Sequence, residues 1–306
     1  MTGPIFSIIT AARACPQRVR TLVQSLARQS WPSWEIIVSV DDPEPAMWDQ
    51  YVAALSGEPR ARLAKRTRYA TGPGGARNDA VACASGEYIV MLDADDTLRD
   101  DYLQAFAVHF HHHPDCPAAI TPTRIIREDE MGDAPVLFAP ALDAAGAVGV
   151  EEYSRLLVST HAVCRREAHI AWPEDCFAED VVRDALIVAA AGSVPIVDSE
   201  YRARIHPAQY TQTSGFSEEE IRQTYLRIAV LHPQIAPLFV RRAAANAVFA
   251  EHHVPREDWY TFWSRHADQT PSTEEIEATG VPQRWERGQE TPRRTRAGLE
   301  STRRQS

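Results

Sequence analysis

Residues 71–100 read TGPGGARNDAVACASGEYIVMLDADDTLRD, and Asp101 follows. The pattern is loop, helix, turn, buried strand, then carboxylates. Thr71 to Gly75 has loop chemistry, with glycines free to take positive φ. Ala76 to Ala84 is short and helix-permissive, and Ser85-Gly86 ends it, glycine being common just past a helix. Glu87 to Leu92 is a run of β-formers, apolar from Tyr88 on, as in a central strand. Asp93, Asp95 and Asp96 stand where that strand ends. In an open α/β sheet, ligands collect beyond the carboxyl ends of the strands. Three carboxylates in four residues repel one another unless a cation neutralises them. Hard cations such as Mg²⁺ or Mn²⁺ take oxygen ligands and share them with substrate phosphates. Either a metal–diphosphate site lies here, or Asp95 or Asp96 caps a helix over Thr97 to Phe110.

Upstream, Ile5 to Thr10 is a short apolar strand. Pro16 suits the first turn of a helix whose face is Val19, Leu22, Val23 and Leu26. Ile36 to Val40 is a second strand, stopped by Asp41-Asp42-Pro43. Pro45 to Leu55 is a helix and Arg62 to Thr67 a third strand. The order β-α-β-α-β-α-β is a doubly wound start. Parallel strands would bring Thr10, Asp41, Asp42 and Asp93 to one edge.

Downstream, Tyr102 to His113 is amphipathic, with Leu103, Phe106, Ala107 and Phe110 on one face. His109 and His113 have zinc-like spacing but lie away from that face, which reads as solvent exposure. Ala118 to Arg127 is a strand. Glu128 to Gly149 is an acidic irregular loop or hairpin, a candidate cover. Leu156 to Arg165 contains a strand. Trp172 to Asp184 holds Glu174, Asp175, Glu179, Asp180 and Asp184, and Val181 to Ala191 is helical. Tyr201 to Ile205 is extended and leads into His206. Glu218 to Leu231 and Leu238 to Ala250 are helices that either pack on the sheet domain or form a homodimer surface. Trp259 to Trp263 adds aromatic bulk. From Gln269 apolar content collapses and arginines accumulate, reading as a disordered basic tail.

The 306 residues carry a net charge of −10, 44% hydrophobic and 24% charged residues, the profile of a globular protein. That charge argues against nucleic-acid binding. No run approaches a membrane span, and MTGPIFSIIT lacks a basic leader, so a cytoplasmic location is expected. The five cysteines are scattered and read as reduced thiols. Arginine bias suggests a high-GC bacterium.

FSIIT, QSWPSWEIIVSVDD, GGARNDAVACASGEYIVMLDADD, FAED and YRARIH, in this order, resemble the family 2 glycosyltransferases over roughly Ile5 to His206. The resemblance implies a GT-A fold: an α/β, doubly wound mixed sheet flanked by helices, here with a helical C-terminal extension. It divides the chain into a nucleotide-sugar half at 1–114, an acceptor half at 115–215, the extension at 216–268 and the tail at 269–306. It implies an NDP-sugar donor, UDP-linked by preference, and a small-molecule or glycan acceptor. By the same resemblance Thr10 and Asp42, with Asp41 next after them, hold base and ribose, and Asp93 the ribose. Asp95, with Asp96 and His206, is expected at a Mn²⁺ or Mg²⁺ ion. Arg77 either grips phosphate or pairs with Asp79 or Glu87. Asp180 is the expected catalytic base for an inverting displacement. Thr10-Ala11-Ala12-Arg13 departs from the family's Pro-Thr-Tyr-Asn, and DDPEP from its DDGS. YIVMLDADDTL is also similar to the Asp-x-Asp-x-Thr motif of haloacid-dehalogenase-like phosphatases. Its place on a fourth strand, the lone Lys65 upstream and Asp96 in place of glycine count against that reading. A GT-A protein that binds nucleotide without turnover is the third alternative.

Overall fold

The computed structural model describes residues 5–262, apart from positions 43, 67–68, 71, 128–135, 157, 175 and 261. They lie in one compact unit, Met1–Pro271. The expected basic tail, Trp263 and part of the acidic loop fall outside the described residues.

The chain opens as β1 (Phe6–Ala12), α1 (Pro16–Leu26), β2 (Trp34–Val40), α2 (Pro45–Leu55), β3 (Ala61–Lys65), α3 (Pro73–Cys83) and β4 (Tyr88–Met91). β3, β2, β1 and β4 lie side by side and all parallel. Each of the three helices has a proline in its first turn, where the missing N–H has no partner to lose. The strands are near-continuous apolar runs because both sheet faces are covered. Their two-residue period sorts the core. Ile8, Ile36, Val38 and Val90 pack under α1 and α2, while Ile9, Ile37, Ile89 and Met91 face the opposite layer.

At the far edge from the aspartates, Glu35 ties three elements together. Its Oε1 accepts from the Ser7 hydroxyl at 2.7 Å, the Ser85 N–H at 2.6 Å and the Ser85 hydroxyl at 2.7 Å, and Arg62 Nη2 lies 2.6 Å from Oε2. Burial pushes this carboxyl up, but the hydrogen bonds from Ser7 and Ser85 and the charge of Arg62 hold its pKa below the ordinary value.

After β4 the chain makes β5 (Thr97–Leu98), α4 (Tyr102–His112), β6 (Ala118–Ala119), β7 (Thr123–Arg127), β8 (Val136–Phe138), α5 (Val150–Ser154), β9 (Val163–Arg165), α6 (Glu179–Ala191), β10 (Tyr201–Ile205), α7 (Tyr210–Thr213), α8 (Glu218–Leu231) and α9 (Ala236–Glu251). β9 and β6 extend the large sheet beyond β4, both in antiparallel pairings. A second sheet has the order β5-β10-β7-β8.

Three expectations change. The helix after the aspartates begins at Tyr102, with Asp101 at its N-cap. Thr97 and Leu98 instead pair with Arg202 and Tyr201, so neither Asp95 nor Asp96 is a cap. The strand expected over 118–127 is two strands in two sheets; Pro122, which has no N–H to donate, lies at the break. The loop expected up to Gly75 is already helical from Pro73. Among the described residues there, only Gly72 has positive φ, at 114°. Gly74 and Gly75 serve close approach: a Cβ on Gly74 would lie 2.0 Å from the Pro173 carbonyl oxygen, and one on Gly75 2.0 Å from that of Ala70. Between the two uses foreseen for α8 and α9, packing on the domain is seen. Ile221, Tyr225, Ile228, Leu238 and Phe239 join the core beneath the sheet.

Candidate active site

A cavity of about 700 Å³ opens at the carboxyl edge of the parallel strands. Asp41, Arg77, Asp93, Asp95, Asp96, Asp180 and His206 all border it. Two expected residues do not. Thr10 is fully buried because β1 runs on to Ala12, and its hydroxyl donates to the Leu92 carbonyl at 2.8 Å. Asp42 turns away from the cavity: its Oδ2 accepts from the Ala14 N–H at 2.6 Å and the Tyr51 hydroxyl at 3.2 Å. It shapes the Arg13–Cys15 turn, and that turn, with Ala11 and Ala12 at the end of β1, lines the cavity in place of Thr10. Asp41 is the member of the pair at the site, held by Arg66 and by the Gly72 N–H at 2.9 Å.

Arg77, on the first turns of α3, pairs with neither Asp79 nor Glu87. Its guanidinium spans from Asp93 at 2.6 Å to Glu179 at the start of α6. Asp79 pairs with Arg66 and Glu87 with Arg165. Burial alone would depress the Arg77 pKa, but Asp93 and Glu179 raise it. Asn78 exchanges two hydrogen bonds with the Trp172 backbone, at 2.9 and 3.0 Å. Trp172 is 2% exposed and belongs to the core rather than to the cavity wall. Arg77 and Asn78 thus fasten α3 to the segment that leads into Glu179-Asp180. Burial pushes the Glu179 pKa up to about 7 against the pull of Arg77.

The aspartate turn is held from the second sheet. The Tyr201 hydroxyl donates to Asp96 Oδ2 at 2.7 Å and accepts from the Asp93 N–H at 3.1 Å. The Arg204 N–H donates to Asp96 Oδ1 at 2.7 Å. Burial, with Asp95 and Asp93 nearby, raises the Asp96 pKa well above the ordinary value. Burial acts on Asp93 in the same sense, but Arg77 and His161 outweigh it and hold its pKa low. His206 Nε2 lies 2.7 Å from Asp95 Oδ2, so these two expected residues meet.

His161 was not foreseen. It borders the cavity, with Nε2 4.0 Å from Asp93. Burial lowers its pKa to about 4, so the ring is neutral. A fully buried ion pair, Arg183–Asp184 on α6, holds its neighbours: Arg183 donates to the Ala162 carbonyl at 2.7 Å, and Asp184 accepts from the Ser159 hydroxyl and the Ala162 N–H. Nothing in the local string STHAV marks this histidine. Its place follows from a contact between α6 and the chain before β9.

A divalent cation fits these donors. Asp93, Asp96 and His161 offer ligand atoms all within 4.8 Å of one another. The Nδ1 atoms of His161 and His206 are buried without a hydrogen-bond partner. Hard carboxylate oxygens with imidazole suit Mn²⁺ or Mg²⁺.

Backbone strain gathers here too. Ala14, His161 and Ala178 have φ of 52°, 50° and 63°, the left-handed region. All three border the cavity. Such conformations persist where surrounding structure over-determines them, commonly at functional sites. Ala178 is the N-cap of α6, so the strained turn aims Glu179 and Asp180 at the cavity with the helix dipole behind them.

The sequence model described as Glycosyl transferase family 2 matches residues 7–169. The succinoglycan biosynthesis protein ExoO of Rhizobium meliloti is 36% identical over 101 residues, 33% of this chain and 28% of that protein. The poly(ribitol-phosphate) β-N-acetylglucosaminyltransferase TarS of Staphylococcus aureus is 30% identical over 112 residues, 36% of this chain and 20% of TarS. Those matches span well under a third of either relative. Solved TarS in complex with UDP-GlcNAc superposes with a TM-score of 0.55 at 19% identity, covering 88% of this chain and 77% of that one. The mannosyltransferase PcManGT from Pyrobaculum calidifontis, in complex with GDP-Man and Mn²⁺, gives 0.54 at 14% identity, covering 92% and 84%. The fold is thus the expected mixed α/β sheet with flanking helices. No helix among the described residues is long and apolar enough to cross a membrane.

Proposed function

The chain belongs to glycosyl transferase family 2, and from that premise we propose that it moves a sugar from a nucleoside-diphosphate donor to an acceptor hydroxyl, with inversion and metal assistance. The observation that carries the reading is the shared cavity: Asp93, Asp95 and Asp96 at the end of β4 face Asp180 at the start of α6 across one space. A UDP-linked donor is favoured, since TarS, of like fold, binds UDP-GlcNAc.

Asp41, the end of β1 and the Arg13–Cys15 turn take the nucleoside end. Asp95 and His206, with the neighbouring donors Asp93, Asp96 and His161, would hold a divalent cation, and Tyr201 and Arg204 keep the Asp96 turn in shape. When bound, a Mn²⁺ or Mg²⁺ ion supplies Lewis-acid stabilisation to the departing diphosphate. Asp180 removes the proton of the acceptor hydroxyl as it attacks the anomeric carbon. Arg77 is a tie rather than a phosphate grip, since Asp93 and Glu179 occupy its guanidinium. The residues at 1–114 supply the donor half and those at 115–215 the acceptor half, with α8 and α9 closing the acceptor end.

A thermal-shift series tests this reading, using UDP, GDP and dTDP sugars with Mn²⁺ or with chelator. UDP-sugars with Mn²⁺ should stabilise the protein, and chelator should remove the effect. In Asp180→Asn, turnover should fall by about 10²–10⁴ while UDP binding survives. Full turnover in that variant would remove Asp180 as the base.

A further inference from the structure

Three arginines are buried among the described residues: Arg77, Arg183 and Arg242. Arg77 is paired with Asp93 and Glu179, and Arg183 with Asp184. Arg242, on α9, differs. It is 6% exposed, and its Nε and Nη2 are buried with no hydrogen-bond partner among the described residues. No carboxylate pairs with it there either. A guanidinium taken out of water with no carboxylate partner and two of its three nitrogens unpaired is costly, and it is retained where something else completes it.

Arg242 borders the same cavity as Asp180, at the end formed by α8, α9 and the segment after them. Tyr225, Phe249, Trp259 and Tyr260 form the wall around it. Tyr225 and Tyr260 lie within electrostatic reach of both Arg242 and Asp180, and all four border the one cavity. The donor end, by contrast, is lined by carboxylates. A planar guanidinium fork matches a carboxylate or a phosphate, and aromatic faces suit the apolar faces of a sugar ring or polyol.

We infer that this end of the cavity takes an acceptor bearing an anionic group, carboxylate or phosphate, close to the hydroxyl that is glycosylated, with Arg242 gripping that group. The inference deepens the transferase reading and rests on it for the word acceptor. The anion site itself is measurable without turnover.

The test titrates the full chain, with and without saturating UDP and Mn²⁺, with two matched pairs: glycerol 3-phosphate against glycerol, and glucuronate against glucose. In the wild type the anionic member of one pair should bind at least about tenfold more tightly, and the responding pair tells phosphate from carboxylate. In Arg242→Met that ratio should fall to near one, with UDP affinity unchanged. A wild-type ratio near one in both pairs overturns the inference, and this holds even if Arg242→Met does not fold. A ratio that survives in Arg242→Met overturns it as well. A tenfold loss of UDP affinity in Arg242→Met would put the arginine on the donor and equally overturn it. Failure of the wild type to bind UDP would count against the proposed function instead, since the anion ratio is also read without UDP.

Discussion

The imidazole of His161 lies flat on the phenol of Tyr201, with ring centroids 3.5 Å apart and planes 2° from parallel. Tyr201 in turn holds the aspartate turn through Asp96 and the Asp93 N–H. One phenol therefore joins the second sheet, the left-handed turn at His161 and the candidate metal donors. Tyr201→Phe keeps the stacking face and removes the hydroxyl. Stability should fall by about 1–3 kcal/mol, the cost of leaving buried partners unsatisfied. Mn²⁺ affinity should fall with it. Chemical denaturation with a Mn²⁺ titration checks both, and an unchanged Mn²⁺ affinity would detach Tyr201 from the metal donors.

Ala178 sits at φ 63° immediately before Glu179. A left-handed alanine costs about 1–2 kcal/mol. Glycine relieves that strain while adding about 0.5–1 kcal/mol of unfolded-chain entropy. Ala178→Gly should therefore raise stability by up to about 1 kcal/mol in urea denaturation. A loss of stability would mean that the alanine methyl contributes packing that outweighs the strain.

Gly74 has no room for a side chain, because the Pro173 carbonyl oxygen occupies the place of a Cβ. Gly74→Ala should cost about 1–3 kcal/mol by overpacking. The push falls on the segment that Asn78 fixes through Trp172, so turnover should drop as well. Wild-type melting and turnover in Gly74→Ala would show that α3 and the 172–174 segment can part freely.

Glu35 predicts an acid limb. Its folded pKa lies below its ordinary 4.5, so in the window beneath 4.5 the unfolded chain binds a proton that the folded chain does not. Its stabilisation is present above that value and is lost as pH falls through the lower folded pKa. Glu35→Gln should thus be less stable at neutral pH, and the gap to wild type should narrow towards about pH 3. Urea denaturation at the two pH values reads this directly. A gap of constant size would assign the loss to hydrogen-bond geometry rather than charge.

The parallel half of the molecule was legible because its signals are local. Apolar strands buried on both faces, prolines in first turns and carboxylates at strand ends all appear within a few neighbouring residues. α2 runs from Pro45 to Leu55, as read from sequence. The other half, where parallel and antiparallel pairings mix, was less legible because its strands are two to five residues long and take their identity from partners far along the chain. Thr97-Leu98 becomes a strand only because Tyr201 and Arg202 lie beside it. Similarly, Asp41 and Asp42 are neighbours of the same type. Only the positions of Arg66, Gly72, Ala14 and Tyr51 decide which one meets the cavity. Glu179 and Tyr201 lay inside quoted motifs, FAED and YRARIH, but their pairing with Arg77 and Asp96 was not readable. Arg242 had no local signal, since an arginine on an amphipathic helix ordinarily faces solvent.

The pairing of β5 with β10, and of β9 and β6 beyond β4, has a practical corollary for anyone who would sever the polypeptide between residues 114 and 115. The front piece would keep β5 but lose its mate, and the rear piece would carry β6 and β9 with no template to lie against. Each alone would present raw ladder edges prone to clumping, whereas the two supplied together could heal the cut. The natural unit for engineering is therefore a reassembling pair, not two autonomous lobes.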